Sequence, residues 1–150
     1  MITTALPPVS GPWSRDTAEA FLRNTAIPVR LATVSPAGPW IQSMWFEYES
    51  GVIRCVTPTT ALVAQRLRRN PECAFEVAAD TPPYIGVRGR ANATVTTQGA
   101  VATLDRLLAR YLGDRSPDLQ QTLRARAEQE VVIELRITEW TSWDFTARMS

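Results

Sequence analysis

The stretch whose reading decides the fold is Val29-Arg30-Leu31-Ala32-Thr33-Val34-Ser35-Pro36-Ala37-Gly38-Pro39-Trp40-Ile41-Gln42-Ser43-Met44-Trp45-Phe46-Glu47-Tyr48. Residues 29–34 alternate apolar and polar side chains, Ser35-Pro36-Ala37-Gly38 is a Pro-then-Gly turn, and 40–48 is strand-like again, so the spacing predicts a β-hairpin. In its second arm Ile41, Ser43, Trp45 and Glu47 share one face while Gln42, Met44, Phe46 and Tyr48 share the other, which makes both faces partly apolar. Glu49-Ser50-Gly51 then turns the chain into a third strand, Val52 to Thr57, and an antiparallel meander results.

Outward from the meander the period changes. Over Thr59 to Asn70, Val63, Ala64 and Leu67 fall on one helical face with Arg66, Arg68 and Arg69 elsewhere, and Asn70-Pro71 stops the helix. Strands follow at Glu72 to Ala79 and Tyr84 to Thr97. In the longer one Ile85, Val87, Gly89, Ala91, Ala93 and Val95 oppose a face carrying Arg88 and Arg90. Val101, Leu104, Leu108 and Tyr111 mark an amphipathic helix ending at Gly113, and Ser116-Pro117 opens another that carries Leu119 and Leu123. Val131, Ile133, Leu135 and Ile137 define a last strand before Trp140-Thr141-Ser142-Trp143-Asp144-Phe145. Upstream, Asp16 and Glu19 have capping-box spacing, and Ala18, Phe21 and Leu22 give a helix over about 15–25. The expected organisation is an irregular arm, 1–13, and a single domain, 14–150. That domain is of α+β class, a small, mainly antiparallel barrel of five or six strands.

Composition narrows the chemistry. The 150 residues carry 16 basic and 15 acidic side chains, a balance that argues against a nucleic-acid binder. There is no histidine, and every basic residue is arginine. Ser-His-Asp and Cys-His catalysis, a histidine-bearing zinc site, a Schiff base and a P-loop lysine are therefore excluded, and no metal site is expected. Reactivity must come from something other than a side chain. Cys55 and Cys73 sit in apolar runs, and the favoured reading is a pair of buried small hydrophobes, with a disulfide second. The start has neither a basic nor an apolar leader region and no stretch is long enough to cross a membrane, so the expected location is the cytoplasm.

Certain features rise above scaffold. Thr57-Pro58-Thr59-Thr60, where a strand hands over to a helix, offers hydroxyls and backbone N–H groups to an anion, with a simple N-cap cluster as the alternative. Arg30, Arg66, Arg68, Arg69, Arg88 and Arg90 suit phosphate, or else a solvated face. Trp140 and Trp143 could cover a flat ligand or seal a barrel mouth. Together they suggest a planar, phosphorylated ligand, and a flavin fits because its ring carries the hydride chemistry that this histidine-free chain cannot.

In its pieces 21–40, 51–57, 67–77, 82–91, 107–114 and 131–145, the chain resembles the pyridoxamine 5'-phosphate oxidase-like family of flavin-binding split β-barrels, in the family's order. The resemblance is to its short bacterial, actinobacterial-type members. It implies a six-stranded split barrel, a homodimer with cofactor sites in the interface, and FMN as cofactor for hydride transfer to or from an unknown small organic substrate. On this reading Arg30, Thr33, Thr57, Thr59, Thr60 and Arg66 contact the cofactor, Gln65, Arg66 or Arg88 substitute for a missing phosphate cation, Trp45 lines the open face, and Trp140 and Trp143 join the cofactor-binding set as ring covers. Relatives place Ser or Thr, Arg and Lys where this chain has Ala61-Leu62-Val63, so the phosphate's main cationic partner is missing. Two alternatives follow from that departure: the deazaflavin coenzyme F-420, or a non-catalytic binding dimer. Candidate proton donors are Tyr84, Glu47 and Asp144, each with an easier structural role.

Overall fold

The computed structural model describes residues 5–150. In chain order its elements are α1 (Arg15–Asn24), β1 (Val29–Ser35), β2 (Gly38–Met44), β3 (Glu47–Glu49), β4 (Val52–Pro58), α2 (Leu62–Arg69), β5 (Glu72–Ala78), β6 (Ile85–Thr96), α3 (Ala100–Tyr111), α4 (Pro117–Ala125) and β7 (Glu130–Asp144). The strands form one antiparallel sheet in the order β2-β1-β5-β6-β7-β4-β3. The class is α+β, mainly antiparallel, as the alternation predicts.

The strand count is corrected from six to seven. The strand expected over 40–48 divides at Trp45-Phe46, because Phe46 turns wholly into the core and its N–H leaves the ladder for the Tyr111 Oη at 3.1 Å. This break shapes the whole sheet. β2 and β3 lie at opposite ends of the strand order, yet only Trp45 and Phe46 separate them in the chain. Successive Cα atoms are about 3.8 Å apart, so Met44 and Glu47 lie within roughly 11 Å and the sheet must curl until its edges approach at that corner. Among the described residues no ladder joins β2 to β3, so the curled sheet is not a closed barrel.

Other boundaries move for local reasons. The cap of α1 is Ser14, whose Oγ accepts from the Thr17 N–H at 3.2 Å, in place of the box expected at Asp16 and Glu19; Glu19 instead accepts from the Tyr48 hydroxyl at 2.7 Å. Helix α2 begins at Leu62 and not Thr59, because the Thr59 and Thr60 carbonyls are taken by the side chains of Arg68 and Gln65. β7 runs on to Asp144, and a register shift between Arg90 and Ala91 accommodates its extra length against β6. Gly89 sits beside that shift, where a Cβ would lie 2.0 Å from the Glu139 carbonyl oxygen. Of the expected arm, residues 1–4 lie outside the described chain; Ser10 bridges to Thr141, and Pro7 O accepts from Trp140 Nε1 at 2.8 Å.

The main core lies inside the curled sheet, with Leu31, Phe46, Ile53, Phe75, Ile133, Leu135 and Trp140 packed against Leu22 of α1 and Val63 and Leu67 of α2. A second cluster, Leu104, Leu108 and Ala127 with Trp45, Val56 and Leu123 against it, lies under α3 and α4. Cys55 and Cys73 are free and buried. Burial pushes both thiols up, Cys73 to about 12, so they behave as small hydrophobes. No helix among the described residues is long and apolar enough to cross a membrane.

Candidate functional site

Where α3 and α4 cover the ends of β2 and β4 they leave a cavity of ≈ 450 Å³. Its wall is apolar, built from Met44, Trp45, Val56, Leu104, Leu107, Leu119 and Leu123, while Gln42, Ser43, Thr57, Arg126 and Glu130 supply the polar groups. A slot of this size, mostly apolar with a handful of convergent polar groups, suits a flat organic ring with a polar end.

The aromatic wall is fixed from behind. Trp45 stacks on Tyr111 with ring centroids 5.1 Å apart and planes 8° from parallel. Tyr111 is held in turn by its hydroxyl, which accepts from the Phe46 N–H and donates to Ile27 O, each at 3.1 Å. Tyr111→Phe is therefore expected to leave a part-buried N–H and a carbonyl without their partner and to cost about 1–2 kcal/mol, measured by urea unfolding. A stability unchanged from wild type would show that water replaces the hydroxyl.

Glu130 is the titratable acid of this cavity. It opens β7 and pairs with Pro58 across the β4–β7 ladder. Its Oε2 is buried without a hydrogen-bond partner, and burial raises the carboxyl above the usual carboxylate range, with Arg126 opposing the shift. A raised acid favours the folded state while protonated, and that contribution is lost as pH rises through the folded-state value. Glu130→Gln removes the titration. The melting temperature of wild type relative to this variant is expected to fall between pH 4 and 8, and a constant difference would contradict it.

The structure gathers Trp45 and Thr57 into this cavity and distributes the other candidate residues elsewhere. Thr59 and Thr60 follow at its edge, but Arg68 donates to the Thr59 carbonyl and Oγ1 at 2.9 and 3.0 Å, and Gln65 donates to the Thr60 carbonyl at 2.9 Å. Gln65 and Arg66 line a different groove, between α2 and the β1–β2 turn, where the Arg66 guanidinium lies 5.3 Å from the exposed Trp40 ring. Arg30 and Arg88 border a shallow groove on the outer sheet face, Arg88 stacked over Trp143 at 4.9 Å. Thr33 is buried beside it, and Trp140 is 2% exposed, a core residue that seals the sheet.

Tyr84 stands beside Ile85, which pairs with Asp144, whereas the cavity adjoins the Thr96 and Val132 end of the same ladder. At about 3.3 Å per residue the two ends are roughly 35 Å apart along the strand, so Tyr84 does not serve this cavity. Glu47 is held by a two-pronged bond from Arg106 at 2.9 Å, and Asp144 accepts from Trp13 Nε1 and from Thr146, which holds its carboxyl below the usual range. The residues that sequence reasoning missed are Gln42, Ser43, Arg126, Glu130 and the leucines of α3 and α4. Only Glu130 left a signal, an acid directly before the apolar run Val131-Val132-Ile133.

The model of the pyridoxamine 5'-phosphate oxidase family matches residues 14–144. This chain belongs to that family. Among solved structures, a conserved hypothetical protein from Mycobacterium tuberculosis has a TM-score of 0.75 at 22% identity, covering 95% of this chain and 90% of its own. An F420 reductase has a TM-score of 0.62 at 25% identity, covering 87% and 98%. An FAD-binding protein from Mesorhizobium loti has a TM-score of 0.62 at 14% identity, covering 87% and 91%. No curated protein matches the chain. Of Ala61-Leu62-Val63, where the resemblance leads one to expect a phosphate-binding cation, Val63 is 1% exposed and part of the core.

Proposed function

We propose that this member of the family is a flavin-dependent oxidoreductase that seats the ring of FMN against Trp45 and passes hydride to or from a small organic substrate. One observation carries the reading: Trp45 and Thr57, remote in sequence, meet on one largely apolar cavity of ≈ 450 Å³. The ring end of a flavin fits these residues. Its phosphate end does not, because Ala61 and Leu62 bring no charge and Val63 is buried.

A bound ring supplies the hydride chemistry; the chain's own residues bind and orient it. Trp45 gives a rigid face, Thr57 marks the end of β4 where the ring's polar edge would lie, and the leucines of α3 and α4 supply an apolar wall. Deazaflavin coenzyme F-420 is the second reading, favoured by the similarity to an F420 reductase over 98% of that chain. The chain is expected to work as a cytoplasmic homodimer. Val34, Trp40, Ile41 and Leu62 support the dimer, since they leave large apolar side chains exposed on β1, β2 and α2.

The test is native mass spectrometry of freshly purified protein with fluorescence titration by FMN and by deazaflavin. A dimer that binds one of them with micromolar or better affinity is expected. Trp45→Ala should weaken that binding at least about tenfold while far-UV circular dichroism is kept. Absence of binding to either would leave a non-catalytic dimer.

A further inference from the structure

We propose that the Trp45–Thr57 cavity selects the unphosphorylated form of a flavin ring, so that riboflavin, with its uncharged hydroxyl tail, binds at least as tightly as FMN. The inference rests on the ring reading above and concerns the tail alone. At the end of β4, where a tail would run past Thr57, the groups that normally hold a phosphate are absent or engaged. Ala61 and Leu62 carry no charge, and Val63 points into the core. The Thr59 N–H donates to Gln129 O at 2.9 Å and the Ala61 N–H to Pro58 O at 2.9 Å, while the Thr59 hydroxyl oxygen accepts from Arg68. A phosphate monoester near −2 would be desolvated there against Arg126 of the lining and an Arg68 guanidinium whose Nη1 and Nη2 already donate to Thr59.

The opposite strand adds a second, independent observation. Glu130, the ladder partner of Pro58, places a carboxyl beside the same spot, and its buried Oε2 has no hydrogen-bond partner. A phosphate descending past Thr57 meets a like charge; a tail hydroxyl meets an acceptor in need of a donor. Arg126 and Glu130, the charged side chains of the lining, cancel, which suits a neutral ligand.

Full-length protein titrated in parallel with riboflavin and with FMN, read by quenching of flavin fluorescence, tests the inference. A riboflavin Kd equal to or below that of FMN is expected, and any preference for FMN overturns the proposal while leaving the ring reading intact. Binding of neither flavin would overturn both. Glu130→Gln keeps the side-chain shape without the charge, and should shift the ratio of the two constants toward FMN by about three- to tenfold. An unchanged ratio would remove Glu130 from the account.

Discussion

Phe46→Ala is expected to lower the unfolding free energy by about 3–5 kcal/mol, the range for truncating a fully buried phenylalanine. Phe46 is 0% exposed and sits at the corner where the chain leaves β2 at one edge of the sheet and enters β3 at the other. Its ring is part of the main core, and its N–H is tied to Tyr111. Truncation therefore opens a cavity at the point that holds the curl. Chemical denaturation by urea, followed by tryptophan fluorescence, reads the effect. Phe46→Leu, which keeps most of the volume, should cost less than about 1.5 kcal/mol. Equal losses for the two variants would mean that the corner does not depend on packing.

Arg110→Ala is the second large effect, expected at about 3 kcal/mol from the loss of several charge-assisted bonds to carbonyls. The Arg110 guanidinium closes the C-terminal end of α1. Nη1 donates to Arg23 O, and Nη2 donates to Leu22 O at 2.8 Å and to Thr25 O at 2.6 Å. It also lies 5.0 Å over the Phe46 ring, so it joins α1, α3 and the corner in one contact. Arg110→Lys should recover less than half of the loss, because an ammonium cannot span carbonyls that a planar fork reaches together. Full recovery by lysine would show that charge alone matters. The Phe46→Ala, Arg110→Ala double variant should lose less than the sum of the single losses, since each residue packs on the other.

Much of the scaffold was legible because its signals are local. Alternation over 29–34, the Pro-then-Gly turn, the Val63-Ala64-Leu67 face and the Ser116-Pro117 helix start each depend on residues a few positions apart, and these elements formed as the spacing predicts. Trp45-Phe46 was less readable. Both strand faces there are partly apolar, so the pattern continues through the break, and only the hydroxyl of Tyr111, far along the chain, takes the N–H out of the ladder. Of the candidate site residues, Trp45 and Thr57 meet in the cavity, whereas Arg30, Arg66 and Arg88 reach other surfaces. An arginine's residue type announces an affinity for anions, but its position on the curl decides which groove it borders.

By itself, the sequence determined the reagents: arginine as the sole basic residue, no histidine, no lysine, and an uncharged Ala61-Leu62-Val63 ahead of the arginines of α2. It also determined the family, through pieces kept in order over residues 14–144. Only the tertiary structure decided that Val63 is sealed in the core, that Glu130 brings an unpartnered carboxyl beside Pro58, and that α3 and α4 wall an open cavity lined by Trp45 and Thr57. The physical reason is range. Period and propensity are fixed by sterics within one turn or one pleat, while burial, desolvation and the company a charge keeps depend on strands that meet only after the sheet has curled.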